Sequence, residues 1–334
     1  MRVFDLHSDL FTDIAWRKSS GEKDIFDRYH YPNLKKGGVD SIICVFWVEP
    51  KFCEQAYDRF QTLFTYVMED LKTSKHAIIH DPNQPYENPS HSSSIKIHLG
   101  LEGLTFMDDW PGETPESKIE NAFNQLDQSN VMHSIFAWNE HNFLSTGTGA
   151  DSYQEKGLTT SGKYALQQSI DHNWLLDVSH QDEATFWDIY NLSEHPFIAS
   201  HSNAKAICDH ERNLTDEQIK AIANRGGIIG LNAYGAFVDK DSPTVERFID
   251  HAIHIADLVG YEHLAFGFDF VDYLASYNLG GSGFTEYTKG LENVSKVPDL
   301  LDRMSKRGFS TKELEAVSFT NASLFMKNHH TLRK

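Results

Sequence analysis

His7-Ser8-Asp9 places an imidazole and a carboxylate two residues apart, directly behind the apolar residues Val3, Phe4 and Leu6. On an extended segment residues i and i+2 share a face, so the two side chains converge on one point, and together they are a donor pair suited to a divalent cation. Other residues of the same chemistry end later apolar runs: Glu102 after 95–101, His180 after 174–178 and His201 after 196–200. Three imidazoles and two carboxylates exceed what one tetrahedral zinc needs and suit two ions sharing a carboxylate. Glu102 lies between the two histidine groups in chain order and is the expected bridge, with a water acidified by both ions. Asn232 and Asp269 end two further runs. Most of the remaining histidines read as ordinary: His251 and His254 share a helix face with Arg247 and Asp250 and are expected in solvent, as are His76, His80, His91, His329 and His330 in polar loops or the tail. His98 has the parity of Glu102 and is expected to pack in the core, while Asp272 reads equally as a metal ligand or a helix-start carboxylate.

Bringing these residues together requires strands that end on a common rim. Eight apolar, β-branched-rich runs, at 3–6, 41–48, 95–101, 131–138, 174–178, 196–200, 227–231 and 263–268, read as strands. Helical patterns lie between them at 54–72, 117–128, 162–172, 182–190, 216–224 and 243–259. Thr215 with Gln218, and Ser310 with Glu313 before the last helix, are capping-box signals. Runs buried on both faces and alternating with helices predict an α/β fold, a (β/α)8 TIM barrel; an open doubly wound sheet is the rival. The expected domain is one barrel over residues 1–334 with additional C-terminal helices. Segments 81–94 and 277–290 read as loops. In a barrel the strand ends at His7, Glu102, His180, His201, Asn232 and Asp269 share the rim where catalytic groups collect.

Composition narrows the partners. Lys plus Arg total 30 against 48 Asp plus Glu, a net charge of -18, which disfavours nucleic acid or an anionic membrane surface and leaves a small molecule as the expected partner. Cys44, Cys53 and Cys208 form no Cys-x-x-Cys pair, so neither a disulfide framework nor a thiolate zinc site is expected, and a reducing cytoplasm fits. The sequence has no basic-then-apolar leader and no apolar run long enough to span a bilayer.

The same residues resemble the membrane dipeptidase (renal dipeptidase) family of zinc hydrolases, in particular its soluble bacterial members. The motifs that carry the resemblance are Asp5-Leu-His7-Ser-Asp9, Gly100-Leu-Glu102-Gly, Ala137-Trp-Asn-Glu-His-Asn142, Leu176-Asp-Val-Ser-His180, Ile198-Ala-Ser-His201-Ser-Asn-Ala204, Arg212-Asn-Leu-Thr215, Gly226-Gly-Ile-Ile-Gly-Leu-Asn232 and Gly267-Phe-Asp269-Phe. The resemblance implies a binuclear zinc barrel of the metal-dependent hydrolase type that cleaves dipeptides, including those with a C-terminal D-residue, and that pairs as a homodimer. It implies that His7 and Asp9 hold one ion, His180 and His201 the other, and that Glu102 bridges them. It further implies that Arg212 binds the substrate carboxylate and that Asp269 binds the substrate amino group or transfers a proton, with Asn232 also at the substrate. Trp138 stands where animal members carry a substrate-contacting histidine, which leaves Asn139 or His141 as replacement donors, or the metals alone to polarise the carbonyl. A hydrolase of another amide, a lactone or a phosphoester, and a metal-binding barrel without catalysis, are the alternatives.

Overall fold

The computed structural model describes residues 1–334 apart from 85, 88–92, 152–155, 278–286 and 332–334. Its centre is a parallel sheet of β1 (Val3–Ser8), β2 (Val39–Trp47), β3 (Ala77–Ile79), β4 (Ile95–Glu102), β5 (Val131–Ile135), β6 (Leu175–Leu176), β7 (Ile229–Leu231) and β8 (Leu264–Phe266). Neighbours run β6-β5-β4-β2-β1-β8-β7. The two ends of that series are joined through single parallel bridges, Asp177 to Ile198 and Ala199 to Ile229, so the sheet closes on itself as an α/β barrel. The segment expected as a strand at 196–200 is therefore present only as those bridges. β3 is a short addition that the apolar pattern does not announce, paired to the first half of β4 where β5 has not yet begun.

Alternation explains why both faces of the strands are buried. In β4, Ile95, Ile97, Leu99 and Leu101 pack outward against the helices, leaving His98, Gly100 and Glu102 to the interior. In β2, Ile42, Cys44 and Phe46 face the helices, while Ile43 and Val45 join Phe4, Leu6, Met132, Leu175 and Ile198 inside. A register shift between Asp5 and Ser8 breaks the alternation of β1, and His7 reaches the same interior as Leu6 despite opposite parity.

Twelve helices accompany the sheet among the described residues, six of them capped by the side chain of a small polar residue, Thr114, Thr159, Asp182, Thr215, Thr244 or Ser310. They are α1 (Leu10–Ser19), α2 (Tyr31–Lys36), α3 (Ala56–Thr73), α4 (Pro115–Asp127), α5 (Thr160–Asp171), α6 (Glu183–Leu192), α7 (Asp216–Asn224), α8 (Gly235–Val238), α9 (Val245–Val259), α10 (Val297–Lys306), α11 (Thr311–Glu315) and α12 (Asn321–Thr331). Both expected capping boxes are present, at Thr215–Gln218 and Ser310–Glu313, and a third joins Thr114 and Ser117.

Several histidines expected in solvent are not there. His251 is fully buried in α9 beside Phe248, Ile249 and Ala252; its Nδ1 accepts from the Ala204 N–H at 3.1 Å and its Nε2 lies 2.9 Å from the Val238 carbonyl. His254 is half-buried against Asp216, and His76 stacks on Tyr31. His80 and His329 are buried because Tyr86 and α12, through Phe325 and Met326, plug the N-terminal end of the barrel, a long-range contact that local polarity does not announce. His330 is half-buried in α12. His98 packs in the core as expected, stacked on Phe4 and bonded to Ser41. His91 and much of the loops at 81–94 and 277–290 lie outside the described residues.

Candidate metal centre

Each side chain of the site stands at or just past the C-terminal end of a barrel strand. His7 is the penultimate residue of β1, and Asp9 has already left it, with φ -88° and ψ 18° as the residue capping α1. The two converge to 3.7 Å, so the pair is made by a strand-to-helix turn as well as by parity. Glu102 ends β4, in register with Trp47. His180 and Asp269 follow β6 and β8 with φ of 67° and 56°, left-handed conformations that non-glycine residues seldom adopt and that cluster at functional sites.

Glu102 is the hub. Its Oε2 is 3.6 Å from His7 Nε2, and its Oε1 is 3.0 Å from His180 Nε2 and 3.6 Å from His201 Nε2. On the His7 side, Asp269 Oδ1 lies 3.9 Å from His7 Nε2. Donor atoms of His7, Glu102 and His201 fall within 4.8 Å of one another, as do those of His7, Asp9 and Asp269. Both ring nitrogens of His7, His201 Nε2 and Asp9 Oδ1 are buried without a hydrogen-bond partner among the described residues. Such orphaned donors are costly in a protein alone and are what ligands to a cation look like.

The electrostatics agree. Burial pushes Glu102 well above the usual carboxylate range and Asp269 up to about 6, each reinforced by Asp9. Burial drives His180 and His201 well below the ordinary imidazole value, aided by Arg212 and by His7, so both are neutral donors. His7 moves the other way, up to about 10, because Glu102, Asp9 and Asp269 outweigh the burial that would lower it. His180 and His201 are thus uncharged donors, the acidic groups crowded around His7 draw positive charge to the cage, and the residues present fit a divalent metal.

A second ring of contacts fixes the ligands. His180 Nδ1 is 2.7 Å from Asn139 Oδ1, and His201 Nδ1 is 2.8 Å from Ser200 Oγ. Asn139, expected at the substrate, is thus engaged with a candidate ligand through its side-chain oxygen. Asn232 Nδ2 donates to Asp269 Oδ2 at 2.9 Å and leaves Oδ1 of that residue toward His7. Arg212 is buried, donates to the His201 carbonyl at 3.3 Å and keeps Nε without a partner among the described residues. Trp138 lies over the site, its ring 5.8 Å from that of His180 and 5.1 Å from Trp47. His141 bonds to Thr146 instead. Asp272 lines a neighbouring cavity of about 210 Å³ with Asp13 and His30 and is not among the clustered donors. Sequence reasoning misses Ser200, Asp5 and Asp177 as supporting groups; the available signal is that each is a polar residue interrupting an otherwise apolar strand run.

The profile of the family described as membrane dipeptidase (peptidase family M19) matches residues 1–334. The chain belongs to the membrane dipeptidase family. Among its relatives is the dipeptidase aclJ of Aspergillus oryzae, 27% identical over 71% of this chain and 51% of the relative. A protein encoded in the pqqA 5' region of Klebsiella pneumoniae is 33% identical over 52% of this chain and 61% of its own length. The chain spans about half to three fifths of the length of the curated relatives it matches. Among solved structures, the dipeptidase AC superposes with a TM-score of 0.82 at 20% identity, covering 98% of both chains. The metallopeptidase from Rhodobacter sphaeroides, solved with a phosphinate mimic of L-Ala-D-Ala, gives 0.82 at 19% identity and the same coverage. These likenesses establish the barrel fold. No helix among the described residues is long and apolar enough to cross a membrane, and all three cysteines are free.

Proposed function

We propose that this member of the family is a binuclear zinc dipeptidase. The observation that carries the reading is the placement of Glu102, one carboxylate oxygen toward His7 and the other toward His180 and His201. His7 and Asp9 would hold one ion, His180 and His201 the other, with Glu102 shared. Two ions held there supply Lewis acidity that polarises the scissile carbonyl and acidifies the attacking water. The protein's own groups do the rest. Arg212, a buried fork with Nε unclaimed, takes the terminal carboxylate of a two-residue substrate. Asp269, oriented by Asn232, takes a proton from the attacking water at Oδ1 and passes it to the leaving amine. Trp138 and Trp47 wall the site and exclude water. Substrates with a C-terminal D-residue belong to this reading, supported by the L-Ala-D-Ala mimic in the R. sphaeroides relative. The unpaired cysteines fit a reducing cytoplasm, and the family resemblance supports a homodimer, which sedimentation tests.

The test is reconstitution. Metal-stripped protein is titrated with zinc and assayed against an L-D dipeptide, a lactone and an aryl phosphate. Dipeptide hydrolysis that returns with about two ions per chain supports the reading, and Arg212→Ala should lower its kcat/KM chiefly by raising KM. Metal loading without dipeptide hydrolysis, or hydrolysis of the lactone or phosphate alone, would overturn it.

A further inference from the structure

Beneath the candidate ligands lies a buried carboxylate that the mechanism does not use. Asp177, three residues before His180, is 2% exposed. Its Oδ1 accepts the Ser179 N–H at 2.9 Å and the Ser200 N–H at 3.0 Å, while Oδ2 lies 2.7 Å from His133 Nε2. The two amides belong to adjacent barrel segments and immediately precede His180 and His201.

Those segments have no ladder to set their spacing at this height. Their pairing is the single bridge between Asp177 and Ile198, and His180 leaves extended geometry altogether with φ 67°. The amides of Ser179 and Ser200 would otherwise be buried without acceptors, a condition native structures avoid. One carboxylate oxygen satisfies both, and so fixes the distance between the backbones that carry the two histidines. Ser179 extends the link, its Oγ accepting the His201 N–H at 3.1 Å. His133 holds the other oxygen, and a place is kept for its ring: a Cβ at Gly100 would come within 2.5 Å of His133 Nδ1. The device recurs across the barrel. Asp5 Oδ1 accepts the His7 N–H at 3.3 Å and the Phe268 N–H at 2.9 Å, joining the backbones that lead to His7 and Asp269.

We infer that Asp177 is a positioning residue for the metal centre, a carboxylate clamp that sets the separation of His180 and His201 by bonding the backbone of both strands. The inference rests on the metal-site reading above, though not on the substrate. It predicts that the oxygen acceptor matters rather than the charge. In Asp177→Asn the amide oxygen can still accept both backbone N–H groups, while the amide nitrogen donates to His133 Nε2 once that ring takes its other tautomer.

The experiment measures metal binding in the full chain, with zinc affinity by chelator competition and the visible spectrum of the Co²⁺-loaded protein as a report of ligand geometry. In Asp177→Ala one of two affinities should fall about 10- to 100-fold, the size expected for loss of an outer-shell support. The other should be unchanged, the Co²⁺ spectrum should alter, and Asp177→Asn should restore both readouts. If the alanine variant does not fold, Asp177→Glu serves instead: it keeps the charge but carries the oxygen one methylene farther, and the same weakened affinity is expected. Wild-type affinities and spectrum in a folded alanine or glutamate variant would overturn the clamp alone, as would an asparagine variant as impaired as alanine. A wild-type chain that binds no metal would remove the site reading and the clamp with it.

Discussion

Glu102 has to satisfy neighbours on two sides with one side chain, and only a carboxylate offers equivalent acceptors in both directions. Glutamine has the same shape but replaces one acceptor with an amide that repels a cation. Glu102→Gln is therefore expected to weaken at least one metal position by about 100-fold or more and to leave protein that emerges from gel filtration with one ion or fewer. Elemental analysis of the purified variant checks this; two ions retained would remove the bridging role. That His7, Asp9, Glu102, His180 and His201 meet at the rim was legible in the sequence. Conformation was not. The left-handed φ of His180 and Asp269 and the turn that brings Asp9 back to His7 depend on what surrounds them, and no local pattern encodes them.

The elements show why some strands could be read and one only partly. β2 carries a long apolar run and β4 a long alternating pattern, and both form long ladders, whereas 196–200 has the composition of a strand but contributes two bridges. Its Ser200 carbonyl points into the space left by glycines: a Cβ at Gly230 or Gly267 would collide with it. Gly267→Ala is accordingly expected to cost about 1–3 kcal/mol in urea denaturation. It should also lower metal affinity, because the backbone it pushes carries His201; unchanged stability would show that the strand can yield. α9 supplies a second case. His251 reads as a solvent residue because its helix face carries charge at Arg247 and Asp250, yet its two ring nitrogens are satisfied by Ala204 and Val238. Burial pulls it from 6.5 down to about 4. The unfolded chain then binds the proton more tightly, so the stability linked to this group is complete above pH about 6.5 and is lost as pH falls toward 4, at most on the order of 3 kcal/mol. In His251→Gln the decline of unfolding free energy over that window should be shallower than in the wild type; an identical decline would assign the pH dependence elsewhere.

At the scale of the whole molecule the closed barrel collects carboxylates in an already acidic protein of net charge -18. The (β/α)8 architecture was legible because strand and helix periods alternate along nearly the whole chain, and the plug formed by α12 was not, because it is a contact between distant segments. Closure has an energetic consequence. Asp9, Glu102 and Asp269 are drawn together around His7 at the rim, and without a cation burial keeps Glu102 well above its usual range and Asp269 near 6. A metal that binds only the folded barrel relieves this and stabilises the chain by mass action, by about 4 kcal/mol at a thousandfold excess over Kd. In a chain of this size that corresponds to a Tm higher by roughly 6 °C. Chelation should therefore lower Tm by about that amount, and zinc should restore it. The difference should shrink at pH 5, where protons occupy the carboxylates whose pKa is raised and compete with the metal, and it should be larger at pH 7. Calorimetry with and without chelator at the two pH values decides the matter: a Tm indifferent to chelation would mean that the acidic cage is stabilised by something other than a bound cation.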